Sequence, residues 1–360
     1  MKKKLFPVLL LLVQLILNLN NSFAQSGQWI WIKGDSTNNA NPVYGTLGVA
    51  DSLNSPGGIY GPAEWKDIQG NFWIFGGSGS NGAQSAMWKY DPQMNQWTWV
   101  RGSQLCCLAG EYGIKGVPSV NNYPGSRGYG CATWVDTSGN FWLFGGVGLD
   151  AYGNGFFLND LWRYKPLTDE WTWMKGSNLS TQPGIYGVQG VGDTANTPGG
   201  RSECTVTWVD MENNLWLYGG NNAPDDLWKY SIISNTWTWV KGSTSGTIAP
   251  VYGTMGIPSL TNTPGSRYNY AKWKDAQDNL WMFGGQGLSF YSPRNDLWKY
   301  NPASNEWTWM NGSNTSADPG IYNSYCSPDS ISNPKARFEN RAVWTDGNGK
   351  FWMMGGLLDG

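Results

Sequence analysis

The sequence predicts an all-β fold made of repeated four-stranded antiparallel sheets, and three observations carry that prediction. The 360 residues include 49 Gly and 24 Trp, and glycine at about twice its ordinary usage favours tight turns over long helices. A W-x-W pair recurs at Trp29/Trp31, Trp97/Trp99, Trp171/Trp173, Trp237/Trp239 and Trp307/Trp309, at spacings of 68, 74, 66 and 70 residues. A fixed period of that size is the mark of a repeat architecture. Between the pairs, apolar runs alternate with short polar turns, as in consecutive hairpins.

Taken in order, the chain opens on a segment that does not belong to this fold. Lys2, Lys3 and Lys4 precede the apolar run Leu5 to Leu17, and Ser22-Phe23-Ala24 supplies the small residues of a cleavage site. This layout predicts a secretory signal over residues 1–24, cleaved before Gln25, and hence a secreted, extracellular or cell-surface protein. The apolar run is too short for a membrane span, which needs roughly 20 residues, and no later segment is expected to cross. Removing the three lysines leaves 21 basic against 26 acidic side chains, so nucleic acid is not an expected partner.

From Gln25 to residue 360 the repeats take over. The first and second strands are carried by "WKDIQGNFWIFGG" from Trp65, with counterparts from Trp134, Trp208, Trp273 and Trp344, and in each the first Trp and first Gly are 11 residues apart. The third strand is W-[KR]-Y at Trp88, Trp162, Trp228 and Trp298, and its Tyr precedes the W-x-W of the fourth strand by 7 residues. The long fourth-to-first connection is a repeat as well. Tyr44, Tyr112, Tyr186, Tyr252 and Tyr322 each follow the second Trp of W-x-W by 13 residues. Large apolar residues on both faces of these strands require each sheet to be covered on both sides. Four-stranded sheets stacked face to face in a ring meet that requirement and leave only short edges.

The Gly-Gly after the second strand, the "NDLWKY" strand, the "WTW" strand and the Arg that follows (Arg127, Arg201, Arg267, Arg337) resemble the kelch motif, and nearly all of the chain after residue 24 is similar to kelch-type β-propellers. The resemblance implies four full blades with partial units at both ends, an incomplete ring of six or seven blades whose C-terminal unit stops before its third strand. It also resembles exported proteins of gliding or gut bacteria. The first unit departs from the pattern, with "SAMWKY" and with Ile59 in the place of the Arg. Galactose oxidase, an enzyme with such a propeller, uses histidines around copper, and this chain has no histidine. That absence also excludes Ser-His-Asp catalysis and His-ligated zinc.

The periodicity of the tryptophans points to core rather than ligand platforms. The recurrent Asp67, Asp136, Asp210, Asp275 and Asp346 are expected to bond their own turns, and the repeated Arg to be structural. No catalytic residue, metal ligand or cofactor is singled out, and neither tight transition-metal binding nor redox activity is expected. Five cysteines, Cys106, Cys107, Cys131, Cys204 and Cys326, are odd in number and irregularly placed, which argues against a disulfide framework; the pair best placed to form a single disulfide is Cys131 with Cys106 or Cys107. The functional expectation is a non-enzymatic binding module for protein or glycan, with an extracellular carbohydrate-active hydrolase or lyase using carboxylate or Tyr chemistry as the alternative. The binding face is expected where the fourth-to-first and second-to-third connections lie, because the latter vary in length. The residues there that break the repeat are Tyr152, Phe156, Phe157, Phe290, Tyr291 and Arg294.

Overall fold

Each 70-residue unit folds into the meander its hairpin signals predict. The computed structural model describes residues 30–203, 207–287, 292–323, 329–339 and 342–358. Its secondary structure is all β, in several antiparallel sheets. Sheet I contains Ala63–Lys66, Phe72–Phe75, Met87–Asp91 and Gln96–Arg101, and sheet II contains Ala132–Val135, Phe141–Leu149, Gly155–Lys165 and Glu170–Lys175. Sheet III is built from Thr207–Val209, Leu215–Tyr218, Leu227–Ser231 and Thr236–Lys241, and sheet IV from Ala271–Lys274, Leu280–Phe283, Leu297–Asn301 and Glu306–Asn311. A last hairpin pairs Ala342–Thr345 with Phe351–Met354. The expected signal segment and Trp29 lie outside the described residues, and Ile30, Trp31 and Ile32 are exposed and in no strand. No helix among the described residues is long and apolar enough to cross a membrane.

The first hairpin of each unit is fixed by its Asp. Asp136 Oδ1 accepts the backbone N–H groups of Ser138 and Asn140, and Oδ2 accepts the indole N–H of Trp142 at 2.8 Å. The turn bonds were legible in the sequence, whereas the indole bond was not. It repeats at Trp73, Trp216, Trp281 and Trp352. Trp142 is fully buried, so its polar N–H must find an acceptor there. Asp136→Ala is expected to destabilise the protein by about 2–3 kcal/mol, because it orphans a buried donor and frees the turn. Asp346→Ala, on the exposed last hairpin, should barely move the melting temperature. Thermal unfolding of the two variants side by side tests this, and equal shifts would contradict it.

The side-chain period of two places alternate residues of one strand in two different cores. Phe141 and Leu143 pack with Trp65 and Phe75 of sheet I, while Trp142 and Phe144 pack with Leu217 and Trp228 of sheet III. Sheets III and IV share a third core around Trp216, Tyr218 and Trp298, and sheet IV meets the last hairpin through Phe283, Val343 and Phe351. Adjacent sheets are also joined by indole bonds. Trp65 donates to the carbonyl of Trp142, Trp134 to Trp216, Trp208 to Trp273 and Trp273 to Trp352, at 2.8 to 3.1 Å. The expectation of buried tryptophan fails at Trp344 and Trp352, each 47% exposed. Their face of the last hairpin is covered by no further sheet among the described residues.

The long connections shield the outer edges of the sheets, which would otherwise present unpaired backbone groups. In each of the four connections that carry Tyr44, Tyr112, Tyr186 and Tyr252, a glycine N–H bonds the fourth strand, as Gly116 does to the carbonyl of Trp173 at 2.7 Å. Its Tyr packs on two tryptophans, Tyr112 on Trp162 and Trp173 at centroid distances of 4.9 and 5.1 Å.

Candidate functional site

The repeated Arg finds its counter-charge in the Asp of "NDLW" or its variant. Arg201 meets Asp226 with two bonds of 2.6 and 2.7 Å, and Arg267 meets Asp296 at 2.6 and 3.0 Å. Arg127 pairs with Asp160 through one bond, from Nη2 to Oδ2, while its Nη1 donates to the carbonyl of Gly125 at 3.0 Å. All six side chains are at most 1% exposed. Each carboxylate also accepts an indole N–H two residues on and a Tyr hydroxyl from the long connection: Trp228 at 2.7 Å and Tyr186 at 2.9 Å in the case of Asp226. Burial, followed by the neighbouring carboxylate, pushes the Tyr112 and Tyr186 hydroxyls well above the usual tyrosine range. These groups are structural: each charge is paired within its cluster, and Arg127 Nε, Asp160 Oδ1 and Arg267 Nε are buried without a hydrogen bond.

Two of the clusters form the floor of a cleft of about 560 Å³ between the connections of sheets III and IV. Its walls come from segments far apart in sequence: Gln182 to Gly184, Gly199 to Arg201, Gly220 to Pro224, Thr244 to Thr247 and Ser266 to Tyr268. All belong to fourth-to-first or second-to-third connections. The lining is neutral and rich in hydrogen-bonding groups. It includes the amides of Gln182, Asn221 and Asn222, the hydroxyls of Thr244, Ser245 and Thr247, and glycines whose missing side chains leave the backbone open. The Arg201 and Arg267 charges are spent on Asp226 and Asp296, so the cleft does not select an anion.

Glycine is required at Gly200 and Gly184 by close approach. A Cβ on Gly200 would lie 2.8 Å from the carbonyl oxygen of Phe157, and one on Gly184 would lie 3.0 Å from the amide nitrogen of Gly199. The rings of Tyr186 and Tyr268 are the aromatic surfaces of the lining. Burial, with Glu203 and Glu339 adding to it, raises the pKa of Tyr268. Asn269 Nδ2 donates to Glu339 Oε1 at 2.6 Å, and Glu203 is 5% exposed.

The described residues among those singled out in the sequence, Tyr152, Phe156, Phe157 and Arg294, are not gathered into one site. Tyr152 is 74% exposed at the tip of the second-to-third hairpin of sheet II. Phe156, also exposed, meets Phe157 edge to face at 4.6 Å. Arg294 lies in sheet IV's connection, where it donates to the Tyr252 hydroxyl at 2.9 Å. Phe290 and Tyr291 fall outside the described residues. None of the four described residues lines the cleft, although Phe157 supports its wall through the backbone. Sequence reasoning missed Tyr268, Glu203 and Glu339; the available signal was that acidic residues two positions after the repeated Arg occur only in "RSE" and "RFE". No family model matches this chain, and no curated protein does.

Proposed function

We propose that the chain is an exported kelch-like β-propeller that acts outside the cell or at its surface as a non-enzymatic binding module, taking a neutral glycan in the cleft between sheets III and IV. The observation that carries this reading is the lining itself. Uncharged donors and acceptors beside two tyrosine rings suit a polyhydroxylated ligand, which needs many hydrogen bonds and an aromatic face but no counter-charge.

The propeller part of the reading is supported by the order of the sheets. First strands of successive sheets neighbour one another from sheet I to the last hairpin. Their leading segments are linked in series: Asn269 N–H to the Glu203 carbonyl, Glu339 N–H to the Asn269 carbonyl, and the Tyr60 hydroxyl to Glu339 Oε1 at 3.4 Å. The last link joins residues 279 positions apart.

Isothermal titration after a glycan screen tests the site. Asn221→Ala with Tyr268→Ala should weaken binding at least about tenfold, as loss of a stacking ring and an amide contact does at a small site. Replacing Tyr152, Phe156, Phe157 and Arg294 together should leave binding unchanged. The reverse result would move the site to the sheet II hairpin and favour a protein partner. One observation favours the hydrolase or lyase reading, namely that Glu203 and Glu339 both act on Tyr268. Turnover of the bound glycan that disappears in Glu203→Gln or Glu339→Gln would replace binding by catalysis.

A further inference from the structure

Cys106 and Cys107 lie in the connection from sheet I to sheet II, and adjacent side chains on an extended backbone point to opposite sides. Here they do not. Cys107 has a φ of 60°, a left-handed conformation rarely adopted by a residue with a side chain. That turn brings both sulfurs over one point: a Cβ built on Gly82 would lie 2.9 Å from Cys107 Sγ and 3.9 Å from Cys106 Sγ. The Cys107 N–H is held by the carbonyl of Ala83, which fixes the loop against the Ser78–Gly79/Gly82–Ala83 hairpin. The Cys106 thiol is hydrogen-bonded to that of Cys107, which raises its pKa.

Cys131 lies elsewhere. Cys131 Sγ donates to the carbonyl of Gly145 at 3.3 Å, and Cys106, Cys107 and Cys131 are all free thiols. Burial pushes the Cys131 thiol up to about 12, which removes it from exchange at neutral pH. No disulfide joins Cys131 to Cys106 or Cys107, because Cys131 faces a backbone carbonyl while the other two sulfurs lie together over Gly82. Cys107 is exposed and Cys106 is half-buried, so small thiol reagents reach the pair.

We propose that Cys106 and Cys107 form a vicinal dithiol site that exchanges with small-molecule disulfides, closing reversibly to a disulfide between the two adjacent residues. The Cys107 thiolate attacks one sulfur of the incoming disulfide and expels a thiolate, giving a mixed disulfide. The Cys106 sulfur, on losing its proton to solvent, attacks Cys107 Sγ and expels the second thiolate. The protein loses two protons and two electrons, and the small disulfide gains them to become two thiols. Adjacent Cα atoms lie about 3.8 Å apart, below the usual disulfide span of about 4.4–6.8 Å, so the bond is strained and easily reduced. This makes it a redox-responsive site, in contrast to the expectation of no redox activity.

The test uses the whole protein, reduced and then equilibrated with oxidised glutathione, alkylated and digested with trypsin. The peptide from Gly102 to Lys115 contains Cys106 and Cys107 and no other cysteine. The proposal expects this peptide to be two hydrogens lighter, resistant to alkylation, and restored by excess reduced glutathione. Cys131→Ser should behave identically, and Cys107→Ser should leave a single glutathione adduct at most. Cross-linking of this peptide to the one carrying Cys131, Cys204 or Cys326 would overturn the proposal. So would a peptide that stays fully alkylatable, or one that stops at mixed disulfides with glutathione.

Discussion

Asp226→Asn should lower the stability of the protein by about 3–5 kcal/mol, since it leaves the Arg201 guanidinium buried without a counter-charge. Arg201→Ala is expected to cost a similar amount, by stranding Asp226. For a chain of this size that corresponds to a fall in melting temperature of about 10 °C. The revealing variant is the double replacement Arg201→Ile with Asp226→Ala, which copies the first unit. There Ile59 stands at the Arg position and Ala86 at the Asp position, and Tyr44 still packs on Trp88 and Trp99 at 5.1 and 4.9 Å. Both charges are missing together, as the physics of a buried pair requires: removing both partners avoids the desolvated lone charge that removing one creates. The double variant should therefore lose less than either single one, with a coupling of about 2 kcal/mol or more in a double-mutant cycle. Its residual loss comes from Tyr186 and Trp228, which both donate to Asp226. Additive losses in matched urea titrations would show that the pair is not coupled and that the first unit's substitutions arose independently.

The same pair shows where the sequence can and cannot be read. Hairpins were legible because their determinants are local: the Asp of W-x-D, its turn and the answering Trp lie within six residues, at constant spacing in every copy. The Arg–Asp pairing spans 33, 25 and 29 residues in successive units, across second-to-third connections of different length. No constant spacing announces it, although the joint loss of both partners in the first unit was a clue. The cleft was less legible still. It is assembled from connections of two neighbouring sheets and lined by glycine, amide and hydroxyl groups that look like ordinary loop residues. Conspicuous aromatics such as Tyr152 and Phe156 drew attention to the sheet II hairpin instead, where nothing encloses them. Exposure of Trp344 and Trp352 was invisible for a different reason, because burial depends on the neighbouring sheet and not on the motif that carries the residue.

Lys272→Met should stabilise the protein at neutral pH by about 2 kcal/mol, and the gain should vanish in alkaline solution. Lys272 is in the first strand of sheet IV, where its ammonium donates to the Thr207 hydroxyl, which in turn donates to the carbonyl of Thr133 at 2.9 Å. Glu64, on the first strand of sheet I, is the charge that acts on it favourably. Burial outweighs that attraction and lowers the Lys272 pKa from 10.5 to about 7. In the unfolded chain the amine holds its proton up to its ordinary value, so between these two pH values the unfolded state binds more protons than the native one. Stability must then rise with pH across that window, by up to about 1.4 kcal/mol per unit. Below pH 7 both states are protonated, the slope disappears, and the native state carries the full cost of a desolvated ammonium. Methionine has similar length and no charge, so it fills the same space without that cost. Chemical denaturation of the parent and the variant at pH 6, 8 and 10 reads the difference directly. A constant gap across the three would mean that Lys272 keeps an ordinary pKa, and that the first strands leave its ammonium in contact with bulk water.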